Sequence, residues 1–279
     1  GAELVPVSVP NLPAAIAIYY VILVSSLLVE RRSEEIAILL RTNIQTLEFE
    51  TALDRAGVRF VIRGGGSFWD MPVVKAMLAA IWRTFGPGGR PPWSGPRYLD
   101  VLLDEIAAKE LPFPELVGEL SEAAVSAMPR SLPSEMRIQW ESGAIRLGSE
   151  GRRFGEAARF LTHCRDSTLR VHQADEKDAV VVSTIHQAKG LEWEAVFVVG
   201  LEDGLLPHNS SLDFEEERRL AYVAASRPKQ FLTLTWAAIR GSKDRNVSPF
   251  VAELASELPE RFVDRRSLGS RPRSPAPRS

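Results

Sequence analysis

The residues with the most chemical promise lie in Val181-Val182-Ser183-Thr184-Ile185-His186-Gln187-Ala188-Lys189-Gly190-Leu191-Glu192-Trp193. An apolar, β-branched run ends at Thr184, and small and polar residues follow where the carboxyl edge of a sheet would open. Open α/β sheets bind ligands at that edge. His186 and Lys189 supply donors, Glu192 an acceptor, and Gly190 a backbone that a ligand can approach closely. An ordinary strand-to-helix loop with solvated polar residues fits this stretch taken alone equally well. A second candidate is Asp213-Phe214-Glu215-Glu216-Glu217-Arg218-Arg219-Leu220-Ala221-Tyr222-Val223-Ala224-Ala225-Ser226-Arg227-Pro228. Asp213 with Glu216 three residues on is a capping-box pattern, and the acidic first turn complements the helix dipole. Leu220, Val223 and Ala224 form a buried stripe. Pro228 disfavours helical geometry at Arg227, so the helix ends there and its guanidinium is free to serve a site off the helix axis. The competing reading is a surface arginine paired with an acidic neighbour such as Glu217 or Asp244.

These residues need a scaffold, and the pattern predicts one. Short β-branched apolar runs recur at Ile36–Leu40, Phe60–Ile62, Val180–Thr184, Val196–Val199 and Phe231–Thr235. Between them, Thr46–Ala56 and Val73–Phe85 carry apolar residues at helical spacing, the first stopped by Gly57. Strands alternating with helices predict an α/β fold, a parallel sheet with helices on both faces. Gly86-Pro87-Gly88-Gly89-Arg90-Pro91-Pro92 breaks the composition, and Tyr98–Lys109, Pro114–Met128 and Gly151–Cys164 are helical in period with no strand pattern. The expected organisation is therefore a first part of the sheet domain at 1–85, a mainly helical insertion at 86–175, the rest of the sheet domain at 176–262, and a disordered basic tail at 263–279.

Bulk charge excludes a histone-like coating protein: 34 basic against 36 acidic residues leave a formal net charge of -2. A narrow strand-binding groove is compatible with that balance. The lone cysteine, Cys164, rules out an internal disulfide and a cysteine zinc cluster, and suits a reducing cytoplasm. Leu12–Val29 is almost unbroken apolar sequence, long enough for a membrane span. No basic residues precede it, Pro10 and Pro13 stand at its start, and Ser25-Ser26 interrupt its end. A helix buried in protein, covered in part by another domain, is the preferred expectation over a membrane anchor.

Taken together, the two chemical segments resemble motifs V and VI of the UvrD/Rep/PcrA family of superfamily 1 DNA helicases. The match runs through Thr184–Trp193, Gly204-Leu205-Leu206-Pro207 and Glu216–Arg227, in the family's order and spacing. Ile36-Ala37-Ile38-Leu39-Leu40-Arg41-Thr42-Asn43 is similar to motif IVa, and Gly64–Lys75 to the glycine-rich turn and helix after it. The resemblance implies the second RecA-like motor domain, 2A, interrupted by a reduced 2B insertion. It implies that Arg227 is the arginine finger, at the carboxyl edge of the sheet near Gly190 and Glu192, that Gly190 and Glu192 contact the nucleotide, and that Arg41, Asn43, Thr184 and His186 hold single-stranded DNA. Ser226 stands where the family usually has threonine, and Pro228 where alanine is usual.

The phosphate loop G-x-x-x-x-G-K-[ST] occurs nowhere in the chain. ATP and Mg2+ are thus expected only in a full-length protein, with the metal ligands and phosphate cradle on a missing N-terminal RecA-like domain, 1A. The expected function is the C-terminal motor domain of a cytoplasmic ATP-dependent DNA helicase acting in DNA repair, inactive as a fragment. The alternative is a degenerate helicase half that only binds nucleic acid or protein. Intact Lys189-Gly190-Leu191-Glu192 and Arg227 favour the motor, since a pure binder has no need of nucleotide residues.

Overall fold

The computed structural model describes residues 2–7, 24, 31–64, 66–209, 211–237, 239–240, 243–257 and 262–264. They form two compact units, Gly1–Gly65 with Asp175–Ser279, and Gly66–Ala174.

The first unit is built on β1 (Ala2–Val7), β2 (Ile36–Leu40), β3 (Phe60–Arg63), β4 (Val180–Thr184), β5 (Trp193–Val199), β6 (Pro228–Ala237) and β9 (Phe262–Asp264). These make one sheet in the order β3-β4-β2-β5-β6-β1-β9, with every pairing parallel. A short antiparallel pair, β7 (Ile239–Arg240) and β8 (Lys243–Asp244), follows β6. The unbroken Ile-Ala-Ile-Leu-Leu run of β2 is explained by its central place, since all five side chains are fully buried.

Among the described residues the sheet is accompanied by the helices α1 (Asn43–Arg55), α7 (Phe214–Ala225) and α8 (Pro249–Glu257). Leu220, Ala221 and Ala224 of α7 and Phe250, Val251 and Leu254 of α8 share a core with Ala37, Leu39, Val196 and Val198 on one face. The alternate residues Ile36, Ile38, Val182 and Phe197 are buried as well. The α1 helix adjoins β2, β3 and β4, and its buried Leu47, Phe49 and Leu53 stand outside that core, on the other face. The predicted α/β sheet is present.

Several details differ from expectation. β6 begins three residues before the predicted Phe231 because Lys229 and Gln230 are exposed edge residues with no apolar signal. β1 and β9, which add two strands beyond β6, were not anticipated: Pro6 interrupts the first and the second has only three residues. Leu12–Val29 lies outside the described residues except for Val24, which is buried, and the tail from Arg265 lies outside them too. Among the described residues no helix is long and apolar enough to cross a membrane.

The second unit is helical throughout, comprising α2 (Pro72–Phe85), α3 (Arg97–Ala107), α4 (Phe113–Ser126), α5 (Ser134–Phe154) and α6 (Ala157–Gln173). It opens at Gly66, so α2 packs with α3, α5 and α6 in this unit, whereas the composition break at Gly86 suggested a later boundary. The predicted helix at Gly151–Cys164 is corrected: Gly155, in left-handed geometry at φ 69°, ends α5, and α6 starts two residues later. Glycine marks the true boundary, and helical periodicity on both sides of it concealed the break.

The α4 and α5 helices meet closely because glycines line the seam. A Cβ on Gly148 would lie 2.7 Å from Ser121 Cβ, and one on Gly151 2.6 Å from Val117 Cγ1. The approach is secured by Ser121 Oγ donating to Ala144 O at 3.0 Å and Trp140 Nε1 donating to Ala124 O at 2.8 Å. Gly148→Leu should therefore destabilise this unit by at least 1–3 kcal/mol, roughly the usual cost of overpacking. Urea unfolding followed by tryptophan fluorescence reads it, and an unchanged midpoint would show that the seam has room.

Candidate functional site

The seven residues singled out from sequence fall on two opposite edges of the sheet. β4 and β5 are both parallel to β2 and flank it, with Leu40 level with Thr184 on one side and Val199 on the other. The chain leaves β4 at the carboxyl edge and must enter β5 at the amino edge. Residues 185–192 make that return, so Thr184 and His186 stay at the carboxyl edge while Gly190 and Glu192 reach the amino edge. Arg227, just before β6, belongs to the amino edge as well. This corrects the expectation that the whole constellation, Arg227 included, lies at the carboxyl edge. The physical reason is that a parallel crossover reverses the chain between consecutive strands.

The connection is ordered. Gln187 N and Ala188 N donate to Thr184 O at 3.1 Å each, and Leu191 N donates to Ala188 O at 3.1 Å. Ile185 and Ala188 are fully buried in the core under α7, leaving His186, Gln187, Lys189 and Glu192 exposed. Gly190 has φ 84°, and a Cβ there would meet nothing within 4 Å, so its backbone faces open space. Gly64, at the end of β3, supports the loop from the side: a Cβ would lie 2.0 Å from Gln187 Cγ.

At the amino edge, α7 ends at Ala225 and Pro228 begins β6, as the proline predicted. Arg227 O accepts from Trp193 N at 3.2 Å, which draws the arginine to the end of the 185–192 connection. Its side chain is half-buried and donates from Nε to Val223 O at 3.0 Å, from one terminal nitrogen to Leu191 O at 3.1 Å, and from the other to Ser226 Oγ at 2.9 Å. Among the described residues no carboxylate pairs with it. A guanidinium has five N–H donors, so one on each terminal nitrogen stays uncommitted. Arg227 is thus beside Gly190 and Glu192, as expected, and is held on one side by neutral oxygens instead of standing wholly free. The capping expectation is met in half: Asp213 accepts from Glu216 N at 3.0 Å, while the Glu216 carboxylate pairs with Arg219.

At the carboxyl edge, Arg41 follows β2 and Asn43 opens α1. Gln45 Oε1 accepts from Arg41 N at 3.1 Å and Thr42 N at 3.0 Å, closing the helix N-terminus with its own side chain. Thr184 is buried and His186 exposed. Asn43 Oδ1 is buried with no hydrogen-bond partner among the described residues. Arg41 is committed to a carboxylate: Nε donates to Glu217 Oε2 at 2.9 Å and a terminal nitrogen to Glu217 Oε1 at 2.6 Å. Glu217, the anticipated alternative partner of Arg227, binds Arg41 instead.

Glu217 is the residue whose importance sequence reasoning missed. Its side chain is 2% exposed against 18% for Arg41, and it also accepts from His208 N at 3.0 Å. Burial pushes its carboxyl up, but the Arg41 and His208 bonds, the Arg41 charge and Ser211 outweigh that and hold it below the usual 4.5. A signal was present in the spacing: Glu217, Leu220, Ala221 and Ala224 share one buried helix face, and a carboxylate on such a stripe needs a partner.

Comparison with known proteins meets this geometry from another direction. Residues 153–238, which include both edge segments from β4 to β6, match the UvrD-like helicase C-terminal domain. The chain is 31% identical over 253 residues to ATP-dependent DNA helicase UvrD2 of Mycobacterium tuberculosis, covering 85% of this chain and 33% of that protein. It is 28% identical over 310 residues to ATP-dependent DNA helicase PcrA of Bacillus subtilis, covering 85% of this chain and 42% of that protein. Over 120 residues it is 46% identical to DNA helicase II of Escherichia coli, covering 40% of this chain and 17% of that protein. The chain therefore spans less than half the length of these relatives. With parallel sheet, motif loop and α7 arranged as described, the chain carries a UvrD-like helicase C-terminal domain and is a homologue of UvrD- and PcrA-type helicases.

Proposed function

We propose that this chain is the C-terminal motor half of an ATP-dependent DNA helicase or translocase, acting on single-stranded DNA together with a separate ATPase half, domain 1A. The observation that carries this reading is Arg227, fastened to the Leu191 carbonyl beside Gly190 and Glu192 with no carboxylate partner among the described residues. A charged donor with two spare N–H groups, an open glycine backbone and an exposed carboxylate suit phosphate oxygens and sugar hydroxyls respectively. ATP, bound with Mg2+ by the other half, supplies the phosphoryl group to be transferred to water. Arg227 stabilises the charge that develops on it, Glu192 holds the sugar and Gly190 admits the nucleotide. Across the sheet, Arg41, Asn43 and His186 hold the strand's phosphates, with the strand-end hydroxyl of Thr184 beside them in the DNA site. Such contacts position the strand without reading its sequence. The domain division follows the same reading, with the helical insertion as a reduced 2B domain.

Alone, the chain should hydrolyse no ATP above background, because phosphoryl transfer depends on a phosphate cradle and metal ligands that the other half holds. Mixing it with a 1A domain from a UvrD-type protein should restore DNA-stimulated turnover. Turnover by the chain alone would refute the half-site reading, and failure of every mixture would leave the binding-module alternative. Strand binding should be weak and salt-sensitive. Removing one phosphate contact by Arg41→Ala or His186→Ala should lower the log–log salt slope by about 0.7.

A further inference from the structure

Glu217 is a buried ionisable side chain, and the proposed function as it stands gives it no task. It holds two of the three guanidinium nitrogens of Arg41, Nε and one terminal nitrogen, in a bidentate fork. The other terminal nitrogen carries no bond among the described residues. A third bond, from His208 N to the same carboxylate oxygen that takes Arg41 Nε, fixes the rotamer of the glutamate. An arginine held on one edge of its plane presents the other edge in a set direction.

We infer that Glu217 is a positioning residue for the strand site: it orients Arg41 so that the free edge of the guanidinium meets a DNA phosphate. This rests on the reading that Arg41 contacts the strand. Arg41 then binds without first searching rotamers, and it keeps its carboxylate while bound, because a phosphate needs only the remaining edge. Glu217 touches no substrate in this arrangement and acts through Arg41 alone.

The test is fluorescence anisotropy of the 279-residue chain with labelled oligothymidylate over a range of salt. Arg41→Ala should weaken binding roughly tenfold or more, as loss of a charge-assisted bond does. Glu217→Gln should weaken it in the same direction and lower the salt slope, and the double variant should bind no more weakly than Arg41→Ala. A merely structural glutamate would leave the slope unchanged. Wild-type binding by Glu217→Gln alongside weak binding by Arg41→Ala would overturn the positioning role. So would tighter binding by Glu217→Gln, which would show the carboxylate competing with the strand. An inert Arg41→Ala would instead strike the strand reading, and this inference with it. Should Glu217→Gln fail to fold, the wild-type chain still decides. The Arg41 Nε–H resonance should keep its protection from solvent exchange when oligothymidylate is added, and loss of that protection would overturn the inference.

Discussion

Arg227→Ala in the full-length protein is expected to lower kcat for DNA-stimulated ATP hydrolysis by about 10³-fold or more, while nucleotide affinity changes little. An arginine finger acts on charge that exists only in the transition state, and removing one costs roughly 10³–10⁵ in rate. The geometry adds a qualification that sequence did not suggest. The side chain makes three bonds, to Val223 O, Leu191 O and Ser226 Oγ, so alanine also frees the end of the 185–192 connection. Net contributions of about 0.5–1.5 kcal/mol per bond, partly replaced by water at this half-buried site, imply a stability loss near 1 kcal/mol. Arg227→Lys keeps the charge but cannot span three acceptors, so it should recover little of the rate. Measuring kcat and nucleotide Kd on the same preparations separates the roles. A fall in affinity with kcat preserved would make Arg227 a ground-state binding residue, and no kinetic effect would make it purely structural.

Glu217→Ala should reduce the stability of the sheet unit by about 2–3 kcal/mol, because it leaves the half-buried Arg41 guanidinium without its charged partner. Replacing both members, Arg41→Met with Glu217→Leu, should recover most of that loss. The same pair sets an acid dependence. The folded-state pKa of Glu217 is depressed, so its contribution is fully present above the ordinary glutamate value of 4.5 and is lost as pH falls through the lower folded value. Denaturant midpoints of the wild type should therefore decline below about pH 4.5 more steeply than those of Glu217→Gln. Superimposable acid limbs would show that the fork contributes nothing net.

Much of this was legible in the residues. The strands at Ile36–Leu40 and Val180–Thr184 were read to the residue, because buried β-branched runs bounded by polar residues have few other solutions. The proximity of Arg227 to Gly190 and Glu192 followed from the resemblance. Their edge did not, since edge is a property of how strands order in space: β4 and β5 are consecutive in the chain yet stand on either side of β2. The Arg41–Glu217 fork was illegible for a related reason. The two residues are 176 apart in sequence, and although helical spacing sets Glu217 on the buried face of α7, apart from its exposed neighbours Glu215 and Glu216, it does not name the partner that meets it there. The close helix seam of the second unit was hidden differently, because glycine lowers helical propensity at the positions where α5 needs close contact.

The return from Thr184 to Trp193 has one more consequence, and it concerns slack. Crossing the five residues of β2 takes about 17 Å, and eight residues reach at most about 27 Å when fully drawn out. Residues 185–190 are spent in turns, so the tether has almost no spare length. It is also pinned at both ends, by Ile185 N to Leu40 O and by Trp193 N to Arg227 O, and by buried Ala188 at its middle. A taut tether does not absorb displacement; it passes it on. His186 at one edge and Glu192 at the other are thus joined by a connection anchored at three points, and inserting a single residue between them would add slack without removing any side chain from either edge.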